Sequence, residues 1–127
     1  MPNILSQENT IELTTIFNQF INRTQEKLNR IDMLHDHLEN KFDQELFLEL
    51  HNIVHTLKGS CATFGYLALG EMAKEIDKLI IICIQQEENY NDTLSCITSL
   101  KSIFFETSKE VAFSRFLLIN LNPEEKS

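Results

Sequence analysis

The stretch LFLELHNIVHTLKGSCATFG, residues 46–65, sets Leu46, Leu50, Ile53, Val54, Leu57, Cys61 and Phe64 along one side of a helix that turns 100° per residue. Spacings of three and four do not suit a strand, whose faces alternate at every second residue. The same spacing recurs on either side. Upstream, Leu13, Phe17, Phe20, Leu28, Ile31 and Leu38 form one long stripe. Downstream, Leu69, Met72, Ile76, Leu79, Ile80 and Cys83 form a third, and Leu94, Ile97, Leu100, Phe104, Val111 and Leu118 a fourth. The two prolines, Pro2 and Pro123, stand at the ends, so the strongest helix breaker is missing from everything between them. Four helices with short connections predict an all-α fold, an antiparallel up-down-up-down four-helix bundle.

The predicted helix ends follow from capping chemistry. Ser6, or Asn9 with Glu12 in a capping box, opens the first helix; Asn40 or Asp43 opens the second; Asn91 or Asp92 opens the fourth. Gly65 suits the left-handed position that follows the second helix. The fourth helix closes before Asn122 and Pro123.

A chain of 127 residues can bury one substantial core, whereas two independently stable halves would each be marginal, so residues 1–127 are expected to form a single domain. Eleven Lys and Arg against 19 Asp and Glu give a net charge of -8. That balance repels phosphate backbones and anionic lipid headgroups, and no basic tract offsets it; nucleic acid and membrane are not expected partners. No apolar run reaches the roughly 20 residues of a membrane span. The N-terminus MPNILSQENT has neither a basic nor an apolar leader region. Cys61, Cys83 and Cys96 form no C-x-x-C pair and leave one thiol unmatched, which suits a reducing, cytoplasmic setting. Cys61 and Cys83 lie on apolar stripes and are expected in the core.

All three glycines, Gly59, Gly65 and Gly70, fall within residues 59–70. Gly65 and Gly70 fit the end of one helix and the start of the next. Gly59 lies inside the second helix, where it costs about 1 kcal/mol relative to Ala. With the apolar stripe turned inward, His55 projects about 150° away from the core direction at 100° per residue. Leu48, His51, Lys58, Gly59 and Ala62 share that outward side. The face therefore holds an imidazole, an ammonium one turn on, and two positions almost without side chain. Small residues beside an exposed nucleophile let another protein bring its own reactive group close. An imidazole, with an ordinary pKa of about 6.5, offers a neutral nitrogen near pH 7 and can attack phosphorus without a separate base. Lys58 can then neutralise the transferred charge. With no glycine-rich phosphate loop and no Mg²⁺ cage, the chain is not expected to be a kinase or any other enzyme, so phosphate must come from a partner.

The run Val54-His55-Thr56-Leu57-Lys58-Gly59-Ser60, followed by Gly65, resembles the signature of the histidine-containing phosphotransfer (HPt) domain family. Members are four-helix bundles that carry phosphoryl groups between receiver-domain aspartates in multistep two-component phosphorelays. The resemblance implies that His55 is the phospho-acceptor and Lys58 steadies the phosphoryl group. It also implies that Leu48, His51, Gly59 and Ala62 belong to the face on which receivers dock. Partners would be response-regulator receiver domains and a hybrid histidine kinase. The chain would need no cofactor of its own, Mg²⁺ being supplied by the receiver. Cys61 stands where relatives commonly carry Ala or Ser.

Two other readings use the same residues. A module with the bundle alone would bind a kinase or receiver without transfer. A His-ligated metal protein would use His51 and His55, whose spacing suits two imidazoles on one ion, but the metalloprotease glutamate is replaced by Asn52 and no third ligand is evident, so no metal is expected. His35 and His37 point to different sides of their helix and are expected in solvent, with one of them able to pack on a loop. Phe105, Phe113, Phe116, Leu117 and Ile119 fall off the fourth stripe and fit an oligomer contact, a site for an adjacent domain, or a wider buried face equally.

Overall fold

The computed structural model describes residues 7–87, 89–107 and 110–121. They form six helices: α1 (Gln7–Asn40), α2 (Gln44–Thr63), α3 (Leu67–Gln86), α4 (Tyr90–Ile97), α5 (Leu100–Thr107) and α6 (Glu110–Leu121). No strand occurs among the described residues. The long helix α1 packs against α2, α4 and α6, while α3 packs most extensively on α2 and also meets α4 and α5. Leu28, Ile31, Leu34 and Leu38 of α1 are sealed against Leu50, Val54, Leu57 and Cys61 of α2 and Leu69, Ala73, Ile76 and Ile80 of α3. Full burial of each Leu or Ile contributes about 1.5–3 kcal/mol, so the three stripes supply most of the drive to associate. No described helix is long and apolar enough to cross a membrane.

Caps explain the ends of α2. Asp43 opens it, its carboxylate accepting from the Leu46 N–H at 3.2 Å. At the other end Gly65 adopts φ 83, and the Tyr66 N–H returns to the Cys61 carbonyl at 3.0 Å, closing a Schellman turn. Gly70 has a second role that its place at a helix start does not suggest: a Cβ there would lie 3.1 Å from Cys61 Cβ. The bulkier Cys61 is thus accommodated because α3 presents a bare backbone opposite it.

Three expectations are corrected. Helix α1 already runs at Gln7, so Asn9 lies inside it rather than capping it; the alternative cap, Ser6, is outside the described residues. Neither Asn91 nor Asp92 opens α4; Asn89 does, in a left-handed conformation (φ 65) that Asn tolerates well. The single fourth helix is instead divided into α4, α5 and α6. At the first division the Thr98 hydroxyl donates to the Ser95 carbonyl at 2.7 Å, and the Ser99 N–H takes a three-residue step back to Cys96 at 3.1 Å. Both compete with the regular helical bonds and tighten the chain there.

The stripe stays buried across the first division, at Leu94, Ile97, Leu100 and Phe104, and the inward side changes only in α6. Phe116, expected off the stripe, is only 2% exposed, and Leu118, expected on it, is 58% exposed. Phe116 stacks on Phe64 at 5.2 Å and meets Phe17 at 5.3 Å, and Phe113 meets Phe17 edge-on at 5.1 Å. These two rings widen the buried face, whereas Phe105 is exposed. Val111, Ile119, Asn122 and Pro123 lie outside the residues whose side chains are described.

Candidate functional site

Helix α2 buries Phe47, Leu50, Val54, Leu57 and Cys61, which forces His55 to the opposite side. Its side chain is 62% exposed. Leu48, Gly59 and Ala62 are exposed on α2 as well, and a Cβ built at Gly59 would find nothing within 4 Å. No packing among the described residues therefore requires the glycine. Its cost to the helix leaves an open surface one turn beyond His55.

The imidazole is not isolated. Asp77 of α3 reaches the same place, buried to 4% exposure, the one charged residue so enclosed among the described residues. Its Oδ2 accepts a hydrogen bond from Lys58 Nζ at 2.9 Å and a longer one from His55 Nδ1 at 3.5 Å. His51 Nε2 stands 3.0 Å from Asp77 Oδ1, close enough for an ion pair but without the alignment of a hydrogen bond. Burial works to raise the Asp77 carboxyl. The hydrogen bonds from Lys58 and His55, with the charges of Lys58 and His51, outweigh burial and hold the group below the ordinary carboxylate range.

This geometry orders the imidazole. An ionised carboxylate can only accept, so the neutral ring carries its proton on Nδ1, facing Asp77. Nε2, on the far side of the ring, keeps its lone pair. A buried acid holding one ring nitrogen of an exposed histidine is the arrangement that aims the other nitrogen as a nucleophile.

Of the residues singled out from the sequence, His51, His55 and Lys58 converge on one carboxylate, while Leu48, Gly59 and Ala62 surround them in solvent without touching it. Lys58 is engaged by Asp77 rather than free. Asp77 itself escaped the sequence reading. So did Ile84, which lines a cleft with Leu48 and Phe42 and adds apolar surface from α3 to this side of the molecule. The signal for Asp77 was present: it sits four residues after Ala73 and three before Ile80, on the inward side of α3.

The other sequence-level candidates lie elsewhere. His35 is nearly enclosed rather than solvated, since Nε2 donates to the Leu94 carbonyl at 3.0 Å and Nδ1 faces Glu39 at 3.0 Å. His37 is exposed. Cys61 and Cys83 are buried, and burial pushes the Cys61 thiol up to about 12.

No curated protein and no solved structure matches the chain. One protein-family model does, that of the Hpt domain, over residues 16–110. The matched span begins within α1, contains α2 and α3 whole, and so takes in His55 together with the buried carboxylate behind it. Covering well over half of the sequence, the match shows that this chain belongs to the Hpt domain family.

Proposed function

We propose that this protein carries phosphoryl groups in a multistep phosphorelay, accepting them on His55 from the aspartyl phosphate of one receiver domain and yielding them to another. One observation carries the reading: His55 stands in solvent with Nδ1 turned to a buried acid, which leaves Nε2 for the incoming phosphorus. The Nε2 lone pair forms the N–P bond as the bond from phosphorus to the aspartyl oxygen breaks, and that carboxylate departs with the electron pair. The proton on Nδ1 stays. Positive charge gathering on the ring faces Asp77, which stabilises it in a poorly solvated setting. Lys58 releases Asp77 and turns toward the phosphoryl oxygens, a movement its flexible four-carbon stem allows.

The docking face in this reading is Leu48, His51, Gly59 and Ala62, extended by Ile84. Apolar contact around the rim and bare backbone at the centre suit a partner that must bring its own carboxyl phosphate within bonding distance. The receiver contributes Mg²⁺, and a hybrid histidine kinase supplies phosphate upstream, in the cytoplasm. The antiparallel up-down-up-down order, with α4–α6 together in the fourth place, belongs to the same reading; three-residue connections at 41–43 and 64–66 support it.

Incubation with a panel of phosphorylated receivers tests the assignment. Label should move to this chain in an acid-labile, base-stable form, and His55→Gln should reduce it to background. A receiver that binds and transfers nothing would instead identify a non-transferring module.

A further inference from the structure

His51 and His55 stand one turn apart on α2, and the structure supplies the third group that their spacing alone lacked, Asp77. One nitrogen of each ring and a carboxylate oxygen lie within 4.8 Å of one another. His51 Nε2 and Asp77 Oδ1 are both sealed from solvent, 3.0 Å apart, and neither has a hydrogen-bonding partner among the described residues. A hydrogen bond would align donor and acceptor. Ligands of one ion instead stand side by side, about 3.3 Å apart in a tetrahedral zinc site, with each lone pair aimed at the metal rather than at its neighbour. The close pair at the floor of the cluster lacks the first geometry, and its 3.0 Å separation is within about 0.3 Å of the ligand spacing of the second. His55, at its mouth, has its Nδ1 on the same carboxylate.

We propose that His51, His55 and Asp77 bind a divalent transition-metal ion of the zinc type, and that the bound ion prevents phosphoryl acceptance by His55. Two imidazoles and one carboxylate favour zinc, cobalt or nickel over Mg²⁺, so the ion that receivers use does not compete. Among the described residues, Lys58 is the cation in the way. It is one-third exposed, holds only Oδ2, and can swing into solvent as the metal takes over neutralisation of Asp77. The blocking half rests on the phosphorelay reading and follows from proton bookkeeping on a neutral imidazole. Such a ring has one lone-pair nitrogen. When Nδ1 gives its pair to the metal, the ring proton moves to Nε2, and the nitrogen that would attack phosphorus has no pair to offer. The fold is untouched, and a chelator restores the nucleophile.

The test uses the purified full chain with ZnSO₄ as the metal probe and phosphoramidate as a small-molecule phosphoryl donor, so that no receiver enters and Mg²⁺ is present only in a control arm. Calorimetry should find one zinc per chain, with affinity at least tenfold weaker in His51→Gln and in Asp77→Asn, both checked for native helicity by circular dichroism. Cobalt should give the visible absorption of a nitrogen- and oxygen-ligated ion. Saturating zinc should slow His55 phosphorylation at least tenfold in the wild type, EDTA should reverse this, and equal MgCl₂ should not reproduce it. In His51→Gln, the ratio of rates with and without zinc should approach one. Absent binding, or binding undiminished in both folded variants, overturns the site. Zinc bound at these residues with phosphorylation unslowed overturns the block and leaves the site standing. Failure of His55 to be phosphorylated even without zinc counts against the phosphorelay reading, while the calorimetry still decides the metal.

Discussion

His35 and His55 each face an acid, and the two pairs are built in opposite senses. His35 is the enclosed member of its pair: its side chain is 12% exposed, both ring nitrogens are occupied, and Glu39 hangs in solvent. At His55 the acid is enclosed and the ring is out. The first arrangement uses a histidine to join α1 to the carbonyl of Leu94 in α4. The second holds one nitrogen and frees the other. Histidine chemistry in this protein is thus decided by which partner is buried, since a sealed carboxylate orients a ring while a sealed ring is spent on packing.

The largest contrast comes from removing each ring. We predict that His55→Gln abolishes phosphoryl acceptance and changes stability by less than about 0.5 kcal/mol, as for an exposed side chain. His35→Ala should keep acceptance and lose about 1–3 kcal/mol in urea denaturation, because the Leu94 carbonyl loses its donor. Label incorporation and denaturation curves on both variants measure this. The next effect concerns the acids. Asp77→Asn should slow acceptance about tenfold to a hundredfold, the usual range for a group that orients a reactive ligand from behind. Glu39→Gln should leave the transfer rate unchanged, and equal effects from the two would break the comparison.

Much of this was legible in the chain itself. The α2 stripe alone turns His55 outward, and Lys58 and Gly59 share its side by helical spacing. The Asp77 contact was not, because a one-dimensional pattern shows that an acid interrupts an apolar stripe without showing which residues of another helix await it. Asp77 sits on the α3 side that carries Ala73 and Ile80, and only the packing of α2 on α3 makes it the shared partner of His51, His55 and Lys58. The fourth stripe holds from Leu94 through Phe104 and is lost at Leu118. The hydrogen bonds of Thr98 and Ser99 tighten the chain without turning Leu100 or Phe104 outward, and it is in the separate helix α6 that the inward side is set afresh, exchanging Phe116 for Leu118.

Two glycines of the same neighbourhood separate an open surface, proposed as part of a docking face, from one closed within the chain. Gly59→Ala should stabilise by up to about 1 kcal/mol, since the added methyl enters open space and helix propensity improves. Gly70→Ala should gain less or lose stability, because the new Cβ meets Cys61 Cβ, an atom fixed to its own backbone. Gly59→Gln should fold and yet slow transfer from a receiver while leaving phosphorylation by phosphoramidate alone; a loss with both donors would contradict the close-approach argument.

The smallest effect lies in acid. Asp77 titrates below its ordinary value in the folded state, so between that value, about 4, and the lowered one the unfolded chain binds more protons. Its contribution to stability is complete above the ordinary carboxylate range and disappears as the pH falls through the lowered value. Asp77→Asn should therefore flatten part of the acid limb of a stability–pH profile, and an unchanged limb would show that Asp77 is not held ionised.

In the proposed transfer, Asp77 holds Nδ1 of His55 and so presents Nε2 to phosphorus. Nitrogen–phosphorus correlation NMR of the phosphorylated, ¹⁵N-histidine-labelled chain reads this directly. The phosphoryl group should appear on Nε2 of His55 alone. Its appearance on Nδ1, or on His51, His35 or His37, would contradict the account.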